Sequence, residues 1–253
     1  AAMITINQPG RPIQSGYMQA AQSNRRYHRE ASNNSVLYPY DYSEDWTENY
    51  SYAYLSGSDQ GLFGGGLQRV NVTLSANGAA VHRASLTPTW FWDYDDGSYY
   101  EHCAQYYSDS WNGTRYVSDG DYAYSCSYGY HSDPNYQYVY YSYSRQSGDA
   151  TYYGHQFYCS YWGCNSYTWN YDYTYGSGAN LGWTVGTVVR LQVNFIDSAG
   201  HGHAADRTVT LQDYSQNINY SRGDCYYDYY RGGTTCYSET SSGTHALGEV
   251  WWP

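Results

Sequence analysis

The 253-residue chain contains no lysine: all 12 cationic residues are arginine, and charged residues make up only 14 % of the sequence. The net charge of −11 argues against nucleic-acid binding through clustered basic side chains, and against an anionic membrane surface. No apolar run approaches the roughly 20 residues that span a bilayer, so we expect no membrane insertion. Helix signals are also scarce, since only residues 15–30 have room for a turn or two.

Phenylalanine and methionine are rare, with 4 and 2 residues, whereas the chain holds 38 tyrosines and 9 tryptophans. Such rings carry polar tips and suit half-hydrated surfaces and interfaces. In DYAYSCSYGYHSDPNYQYVYYSYS (121–144), tyrosines alternate on both sides of the turn-forming HSDPN, which predicts a β-hairpin. Tyr122, Tyr124, Tyr128 and Tyr130 would share one face of the first strand. Tyr136, Tyr138 and Tyr140 would line one face of the returning strand, with Tyr141 and Tyr143 on its other face.

The six cysteines fall into neighbouring pairs, although six cysteines allow 15 connectivities. Zinc is the alternative, but the chain has no C-x2-C spacing and no cysteine–histidine cluster. Disulfides imply an oxidising compartment. The first residues, AAMITINQPG, lack a basic or apolar signal, as expected of a mature secreted chain. The predicted disulfides are Cys103 with Cys126, Cys159 with Cys164, and Cys225 with Cys236.

N-x-[ST] sequons predict covalent glycans, although some sequons arise by chance in a chain rich in Asn, Ser and Thr. Asn71 is the strongest candidate. In RVNVTLSANG, Val70, Val72 and Leu74 alternate toward a core and leave the Asn71 side chain in solvent. The five candidate asparagines are Asn33, Asn49, Asn71, Asn112 and Asn219.

Two stretches of the chain resemble each other. NYSYAYLSGSDQGLFGGGLQRVNVTLSANG and NYDYTYGSGANLGWTVGTVVRLQVNFIDSAGHG share the order of a Y-x-Y run, a Gly-rich bend and an alternating strand. The alignment matches Tyr50 with Tyr171 and Asn71 with Asn194. It predicts an internal duplication. The expected fold is all-β: an extended N-terminal arm (1–36) and two tandem immunoglobulin-like sandwiches (37–147 and 148–253).

Two segments carry a family resemblance. FWDYDDGS (91–98) resembles the W-D-F-G-D-G-S signature of PKD domains, which are immunoglobulin-like modules of extracellular proteins. VGTVVRLQVNFIDSAGHGHAADRTVTLQ (185–212), in the other half of the chain, looks like their late hairpin. The resemblance implies a bacterial, extracellular sandwich used for adhesion, spacing or scaffolding, and no catalysis.

Several acidic and histidine residues are candidate sites. Asp93, Asp95 and Asp96 offer oxygen ligands for Ca²⁺, and a glycosidase could use Asp95 or Asp121. Aspartates beside glycine also make ordinary turns. His201 and His203 lie in a Gly-rich turn, where solvent contact is the simpler expectation. Since no hydrolase, zinc-protease or nucleotide-loop motif occurs, we expect no enzyme and no cofactor apart from calcium at the acidic turn.

The two ends of the chain suggest assembly. Ile4 and Ile6 alternate ahead of Pro9 and Pro12, the layout of a strand that could complete the sheet of another subunit. A first strand pairing within its own domain, or a disordered terminus, are the alternatives. At the other end, Trp251 and Trp252 are expected to dock at an interface.

These features predict a structural subunit of an extracellular or cell-surface filament, a glycosylated head-to-tail homopolymer held by β-strand and aromatic contacts. The alternative is a carbohydrate-binding or adhesive module that uses Tyr and Trp platforms. Rings spread over many strands, without one tryptophan-lined cleft, favour assembly. The predicted assembly interface comprises Ile4, Ile6, Tyr122, Tyr124, Tyr128, Tyr130, Tyr136, Tyr138, Tyr140, Trp251 and Trp252.

Overall fold

A computed structural model describes residues 11–60, 67–111, 116–133, 137–176, 180–198 and 200–253. These residues form an all-β structure, as predicted, with one short 3-10 helix (Ser215–Asn217). None of their helical segments is long and apolar enough to cross a membrane. The strands are β1 (Arg11–Pro12), β2 (Ser15–Asn33), β3 (Tyr40–Gln60), β4 (Leu67–Ala76), β5 (Ala79–Leu86), β6 (Trp90–Asp95), β7 (Tyr99–Trp111), β8 (Tyr116–Tyr130), β9 (Gln137–Ser160), β10 (Gly163–Tyr175), β11 (Val188–Asp197), β12 (Gly202–Thr210), β13 (Gln212–Asp213), β14 (Tyr220–Asp228) and β15 (Gly233–Trp252).

The smaller sheet has five strands in the order β1-β12-β11-β4-β5. All its pairs are antiparallel except β1 with β12. Its central pair, β4 with β11, places Asn71 directly opposite Asn194. These are the residues that the sequence repeat aligned, so the β4–β5 and β11–β12 hairpins are related by a local two-fold arrangement.

The larger sheet has ten strands and follows the order β13-β15-β2-β3-β9-β8-β7-β6. Strand β10 shares one edge of β9 with β8, and β14 shares one edge of β15 with β13. The four central strands are long, with 19 to 24 residues each. At about 3.3 Å per residue they extend for roughly 65 to 80 Å.

One half of this sheet packs against the five-stranded sheet, and we call it the sandwich half. It consists of β6, β7 and β8 with residues 15–23, 50–60, 137–148 and 245–252 of the long strands. Apolar side chains alternate inward from both sheets and bury one continuous core. Tyr141 lies in it with its ring centroid 5.0 Å from that of Phe195. Fully buried members include Met18, Leu55, Val70, Leu74, Val139, Tyr143 and Leu191.

No second layer of described residues packs on the other half, and we call it the single-layer half. It consists of β10 and β14 with residues 24–33, 40–49, 149–160 and 233–244 of the long strands. None of these residues belongs to the hydrophobic core cluster of the described chain. Nearly all of β10 and β14 is exposed. Cross-strand side-chain pairs and disulfides must therefore stabilise this region, because burial in a second layer does not.

The predicted domain organisation is not confirmed. Strand β9 runs through the expected boundary at residues 147 and 148, and both halves of the chain contribute to both sheets. Residues 15–33, assigned to an N-terminal arm, form a strand paired on both sides within the same chain. Residues 11–12 pair with β12, whereas Ile4 and Ile6 lie outside the described residues.

Three disulfides join the cysteine pairs expected from their proximity, and each links directly opposite residues of an antiparallel hairpin. The Cα atoms are 4.0 to 4.1 Å apart, which identifies the pairs as non-hydrogen-bonded ones. Two of the three disulfides covalently link the outermost strands of the single-layer half, β10 and β14, to the neighbouring strands β9 and β15.

Candidate functional site

The face of the ten-stranded sheet that points away from the five-stranded sheet is lined with aromatic rings along its whole length, and we call it the aromatic face. Strand alternation and register place these rings together. In the sandwich half it carries Tyr17, Tyr50, Tyr52, Tyr54, Trp90, Trp92, Tyr94, Tyr99, Tyr107, Tyr122, Tyr124, Tyr128, Tyr130, Tyr138, Tyr140 and Trp251. In the single-layer half it carries Tyr27, Tyr40, Tyr42, Trp46, Tyr152, Tyr158, Tyr167, Trp169, Tyr171, Tyr173, Tyr175, Tyr220, Tyr226 and Tyr237.

The predicted tyrosine hairpin is part of this face. Tyr122, Tyr124, Tyr128 and Tyr130 on β8 lie on the same side as Tyr138 and Tyr140 on β9, while Tyr141 and Tyr143 point into the core. The rings of Tyr128 and Tyr138 stack with centroids 5.8 Å apart. Tyr136 lies outside the described residues. The alternation predicted from the sequence is thus confirmed for the described residues, but their role in assembly stays a prediction.

The two terminal tryptophans have different surroundings. Trp251 is 73 % exposed on the aromatic face, where its ring centroid lies 4.2 Å from the ring centroid of Tyr17. Trp252 is partly buried against the core, donates a hydrogen bond to the Ile13 carbonyl, and lies under the Arg207 guanidinium. Its docking site is therefore within its own chain.

A row of four stacked rings crosses the single-layer half. Tyr27, Trp46, Tyr152 and Tyr171 are directly opposite one another on β2, β3, β9 and β10. Successive ring centroids are 4.7, 6.3 and 4.8 Å apart, and the ring planes are within 15° of parallel. Each such pair adds about 0.2 to 1 kcal/mol to sheet stability, so the row partly replaces the missing second layer.

The neighbouring row carries alternating charge. In register order it reads Arg222, Glu239, Arg29, Glu44, then Gly154 and Trp169. Both guanidinium groups contact the Glu239 carboxylate, at 3.2 and 3.3 Å. A hydrogen bond from Tyr220, together with these cations, holds the pKa of Glu239 below its ordinary value. The row thus begins with a cation at one edge of the sheet and ends with an indole at the other.

Glycine makes room for that indole. A Cβ atom at Gly154 would lie 2.0 Å from Cζ2 of Trp169, because the ring lies flat across the glycine and reaches toward Tyr42, whose ring centroid is 5.8 Å away. Glycine in a strand interior often marks such a close approach.

The opposite face of the single-layer half is mostly hydroxyl, amide and charged, and we call it the polar face. His28 lies between Asp45 and Glu30, at 2.7 and 3.0 Å. These two contacts raise the pKa of His28 above its ordinary value, although burial opposes them. Thr151 donates a hydrogen bond to Asp172 across β9 and β10. Few apolar groups are available there for a second layer to bury.

A groove crosses the aromatic face at the point along the edge of β9 where its pairing with β8 begins, at Asp121, and its pairing with β10 ends, at Tyr175. Its volume is about 680 Å³, within the range of small-ligand sites. Gly120, with φ of +77°, lets β8 approach β9 closely at this break. Burial raises the pKa of Tyr52 and of Tyr175 to about 12, so both hydroxyls stay protonated donors at neutral pH. Ring walls and polar groups are supplied by Tyr52, Tyr54, Tyr107, Tyr122, Tyr173, Tyr175, Gln19, Ser144 and Gln146.

Beneath the groove lies a buried charged cluster. The Asp121 carboxylate accepts hydrogen bonds from Arg145 and Tyr143, each at 2.8 Å, and its other oxygen is 2.8 Å from His82 Nε2. Burial raises the pKa of Asp121, but His82 and Arg145 outweigh it and leave the pKa below its ordinary value. Asp121 therefore remains ionised at the floor of the groove, where it is the one acid among the lining residues, so the groove does not contain a pair of acids.

The acidic turn that could hold calcium is hydrogen-bonded internally. Asp95 accepts from Gly97 and lies 3.0 Å from His131, and Asp96 accepts from Ser98 and Tyr99. Backbone donors, first that of Tyr99, lower the pKa of Asp96 to about 2. Asp93 pairs instead with His102. Within the described ranges no group of three or more His, Cys, Asp or Glu side chains is arranged to hold a metal ion.

The sequon asparagines differ in accessibility. Asn71 points outward from β4 while Val70, Val72 and Leu74 are buried, as expected. Asn49 is half-buried and Asn219 is exposed. Asn33 is only 5 % exposed, and its Nδ2 donates to Thr235, so a glycan there would have to displace this contact. Asn112 lies outside the described residues.

Sequence reasoning missed the aromatic rings of β10 and β14 as part of the same surface. Their signal was present in the Y-x-Y alternation of Tyr171, Tyr173 and Tyr175, but alternation gives no strand partner.

Comparisons with protein-family models, curated proteins and solved structures find no match to this chain.

Proposed function

We propose that this protein is a structural subunit of an extracellular assembly and that its aromatic face is a surface of contact between copies. The observation that carries the proposal is the aromatic face itself, a continuous array of tyrosine and tryptophan rings across both halves that no other part of the described chain covers. Exposed apolar patches of this extent mark interaction surfaces. Polar-tipped rings also provide rigid, hydrogen-bonding contact area.

The disulfides support the extracellular part of the proposal, since such bridges persist in oxidising compartments. Glycans on Asn71, on the far side of the five-stranded sheet, would leave the aromatic face free for contacts. No catalytic role enters this proposal, because Asp121 is the one acid that lines the groove and its carboxylate is already held by Arg145, Tyr143 and His82.

The test is the assembly state of the full, disulfide-intact chain, measured by sedimentation velocity and negative-stain electron microscopy over a concentration series. We expect extended polymers that grow with concentration. A triple variant, Tyr122→Ser with Tyr130→Ser and Tyr140→Ser, removes exposed rings from the aromatic face and should weaken polymerisation at least tenfold. A strictly monomeric wild-type chain at every concentration would overturn the proposal.

The matched control removes exposed apolar side chains elsewhere: Val81→Ser with Val185→Ser and Val188→Ser, all exposed and outside the aromatic face. This variant should polymerise like the wild type. Equal loss in both triple variants would mean that general surface hydrophobicity, and not the aromatic face, drives association.

A second function, carbohydrate binding, is favoured by one observation: the groove combines ring walls with amide and hydroxyl groups, the chemistry that recognises sugars. Titration calorimetry with a panel of soluble polysaccharides tests it. Tyr173→Ala should then abolish the heat of binding, while Tyr153→Ala, equally exposed at 54 % but on the polar face, should leave it unchanged. If neither variant loses the heat of binding, the groove is not the carbohydrate-binding site.

A further inference from the structure

The single-layer half has two open edges, and they differ in what surrounds them. Strand β10 pairs only with β9, and β14 pairs only with β15. The β10 edge is recessed, because β8 continues the same edge of β9 and β7 and β6 extend the sheet two strands farther out. On the opposite side, no described strand lies beyond β14 or β13. The β14 edge is thus the more accessible of the two.

The disulfide identifies which backbone groups of β14 point outward. Cys225 and Cys236 have Cα atoms 4.1 Å apart, so they form a non-hydrogen-bonded pair and Cys225 directs its N–H and C=O groups away from β15. The Cys225 N–H donates to the Asp224 carboxylate, 2.8 Å away. Ser221 and Gly223 share this orientation because the direction alternates along a strand. Backbone donors and acceptors are therefore directed outward along the length of β14.

The side chains that β14 carries on the aromatic face have a symmetric order. They belong to Tyr220, Arg222, Asp224 and Tyr226, which are all exposed, and Gly223 lies at the centre of the series. Charged residues on an edge strand normally oppose pairing with another chain. Here the two charges have opposite signs and flank the glycine. An antiparallel second copy of the same strand therefore presents the complementary order.

We infer that two copies of the chain pair along β14 as an antiparallel dimer, with a two-fold axis through Gly223 and perpendicular to the sheet. In each copy Arg222 then lies opposite the partner's Asp224, and Tyr220 lies opposite the partner's Tyr226. These are non-hydrogen-bonded pairs, in which the Cα atoms are about 4.5 Å apart and facing side chains are closest. Opposite charges and aromatic rings that face each other across two strands both stabilise a sheet.

The two adjacent registers lack this match. A two-fold axis through Arg222 places two arginines directly opposite each other, and an axis through Asp224 does the same with two aspartates. Like charges at directly opposite positions destabilise a strand pair. The axis through Gly223 avoids both contacts and, as in other isologous dimers, satisfies both copies with one self-complementary surface.

The two-fold axis also keeps the rest of the two molecules apart. It places the sandwich halves at opposite ends of the dimer, and β6 and β7 of each copy lie on the side of the sheet away from the axis. Asn219, just before β14, holds its side-chain amide against Ser215 and Gly243 of its own chain. The aromatic faces of both copies point the same way. This contact is separate from the aromatic-face contact proposed above, and it doubles that face without covering it.

Charge reversal tests the inferred register. The parent chain is the triple serine variant of the aromatic face, at concentrations where it does not polymerise, so that sedimentation equilibrium reports the edge contact alone. We expect this parent to dimerise. Arg222→Asp and Asp224→Arg each place like charges opposite each other and should weaken dimerisation about tenfold or more. An equimolar mixture of the two variants restores opposite charges at both contacts and should form a mixed dimer.

Matched controls make the same changes of charge on the five-stranded sheet. Arg190→Asp and Asp206→Arg each alter an exposed ion pair between β11 and β12, and both should dimerise like the parent. A parent that stays monomeric at every concentration would overturn the inference. Dimerisation that neither edge variant weakens, or that the controls weaken equally, would overturn it as well.

Cysteine cross-linking provides a second readout that leaves the charged residues in place. Positions 220 and 226 of two copies are directly opposite in the inferred register, so mixing Tyr220→Cys with Tyr226→Cys should give a disulfide-linked dimer on a non-reducing gel. Each variant alone should not cross-link. Tyr227→Cys is the matched control, because Tyr226 and Tyr227 are 54 and 55 % exposed but lie on opposite faces. Cross-links in the mixture of Tyr220→Cys with Tyr227→Cys, or in neither mixture, would contradict the register.

The results also separate this inference from the proposed function. A parent that dimerises, together with a wild type that forms dimers but no larger polymers, would remove the aromatic-face proposal and leave the β14 contact. Polymers of the wild type together with a monomeric parent would do the reverse. Circular dichroism and amide exchange in β4 and β11 establish that each variant is folded. If a charge variant is unfolded, the cysteine mixtures decide the outcome.

Discussion

The two halves of the ten-stranded sheet are built from the same four long strands but stabilised in different ways. In the sandwich half, alternate residues such as Leu55 and Val139 meet a second sheet and are buried completely. In the single-layer half, the corresponding positions of the same strands, such as Asp45 and Thr151, are polar and face solvent. A strand thus needs a hydrophobic face only where another layer is present. Elsewhere, ring stacking, ion pairs and disulfides maintain the ladder.

The largest expected effect concerns the buried charge in the sandwich half. Arg145→Leu leaves the Asp121 carboxylate without its main cation and should lower the free energy of unfolding by about 3 to 5 kcal/mol. Arg29→Leu removes a half-exposed partner of Glu239 in the single-layer half and should cost about 1 kcal/mol or less. Guanidinium-induced unfolding measures both. Equal losses of unfolding free energy in the two variants would show that the ion pairs of the two halves contribute equally to stability.

The second-largest loss of stability is expected when a disulfide is removed from the single-layer half. Replacing Cys225 and Cys236 by serine opens a loop with a sequence separation of 11, a constraint worth about 2 to 4 kcal/mol. Because no second layer holds β14, the loss should be local. Hydrogen–deuterium exchange should accelerate in β14 while β4 and β11 keep their protection. Uniform acceleration through both sheets would indicate one cooperative unit instead.

A smaller effect is expected at the glycine under the indole. Gly154→Ala should destabilise the chain by about 1 to 3 kcal/mol through overpacking against Trp169. The same substitution made in a Trp169→Ala background should be neutral or stabilising, since alanine restricts the unfolded chain more than glycine does. A double-mutant cycle in urea gives the coupling. No coupling would mean that the ring does not rest on the glycine.

The smallest expected effect is on the pH dependence of stability, to which one histidine in each half contributes with opposite sign. Hydrogen bonds with Glu30 and Asp45 raise the pKa of His28 above 6.5, so its contribution is complete below pH 6.5 and is lost as pH rises through the folded-state pKa. Burial lowers the pKa of His245 in the sandwich half, so its contribution is present above pH 6.5 and is lost as pH falls.

Comparing His28→Asn with His245→Asn in thermal unfolding scans between pH 5 and 8 separates the two contributions. The first variant should lose stability mainly at the acid end of this range, and the second should gain stability there. Shifts of the same sign in both variants would contradict the assignment of their surroundings.

The sequence predicts the local features of this fold well. Period-two alternation correctly indicates an all-β chain, the tyrosine hairpin at β8 and β9, and the inward side chains of β4, because side-chain direction follows from strand geometry alone. Proximity of cysteines correctly indicates the three bridges, because each closes a hairpin whose strands follow closely in sequence.

The long-range features could not be predicted in the same way. Nothing in the alternation of Tyr171 and Tyr173 states that β10 lies beside β9, or that β9 continues through residue 148 instead of ending a domain. Pairing partners depend on contacts far apart in sequence, such as β15 with β2. The groove and the open edges arise from where neighbouring strands stop, which is a property of the complete sheet.

The length of the four central strands also has a mechanical consequence. A force applied along their axis loads the hydrogen bonds between neighbouring strands in shear, so that many must break together. A force applied across the strands would peel the same bonds apart one at a time. The molecule is therefore strongest under tension directed from the two-layer end to the one-layer end, and a material built from it would have a stiff axis along its strands.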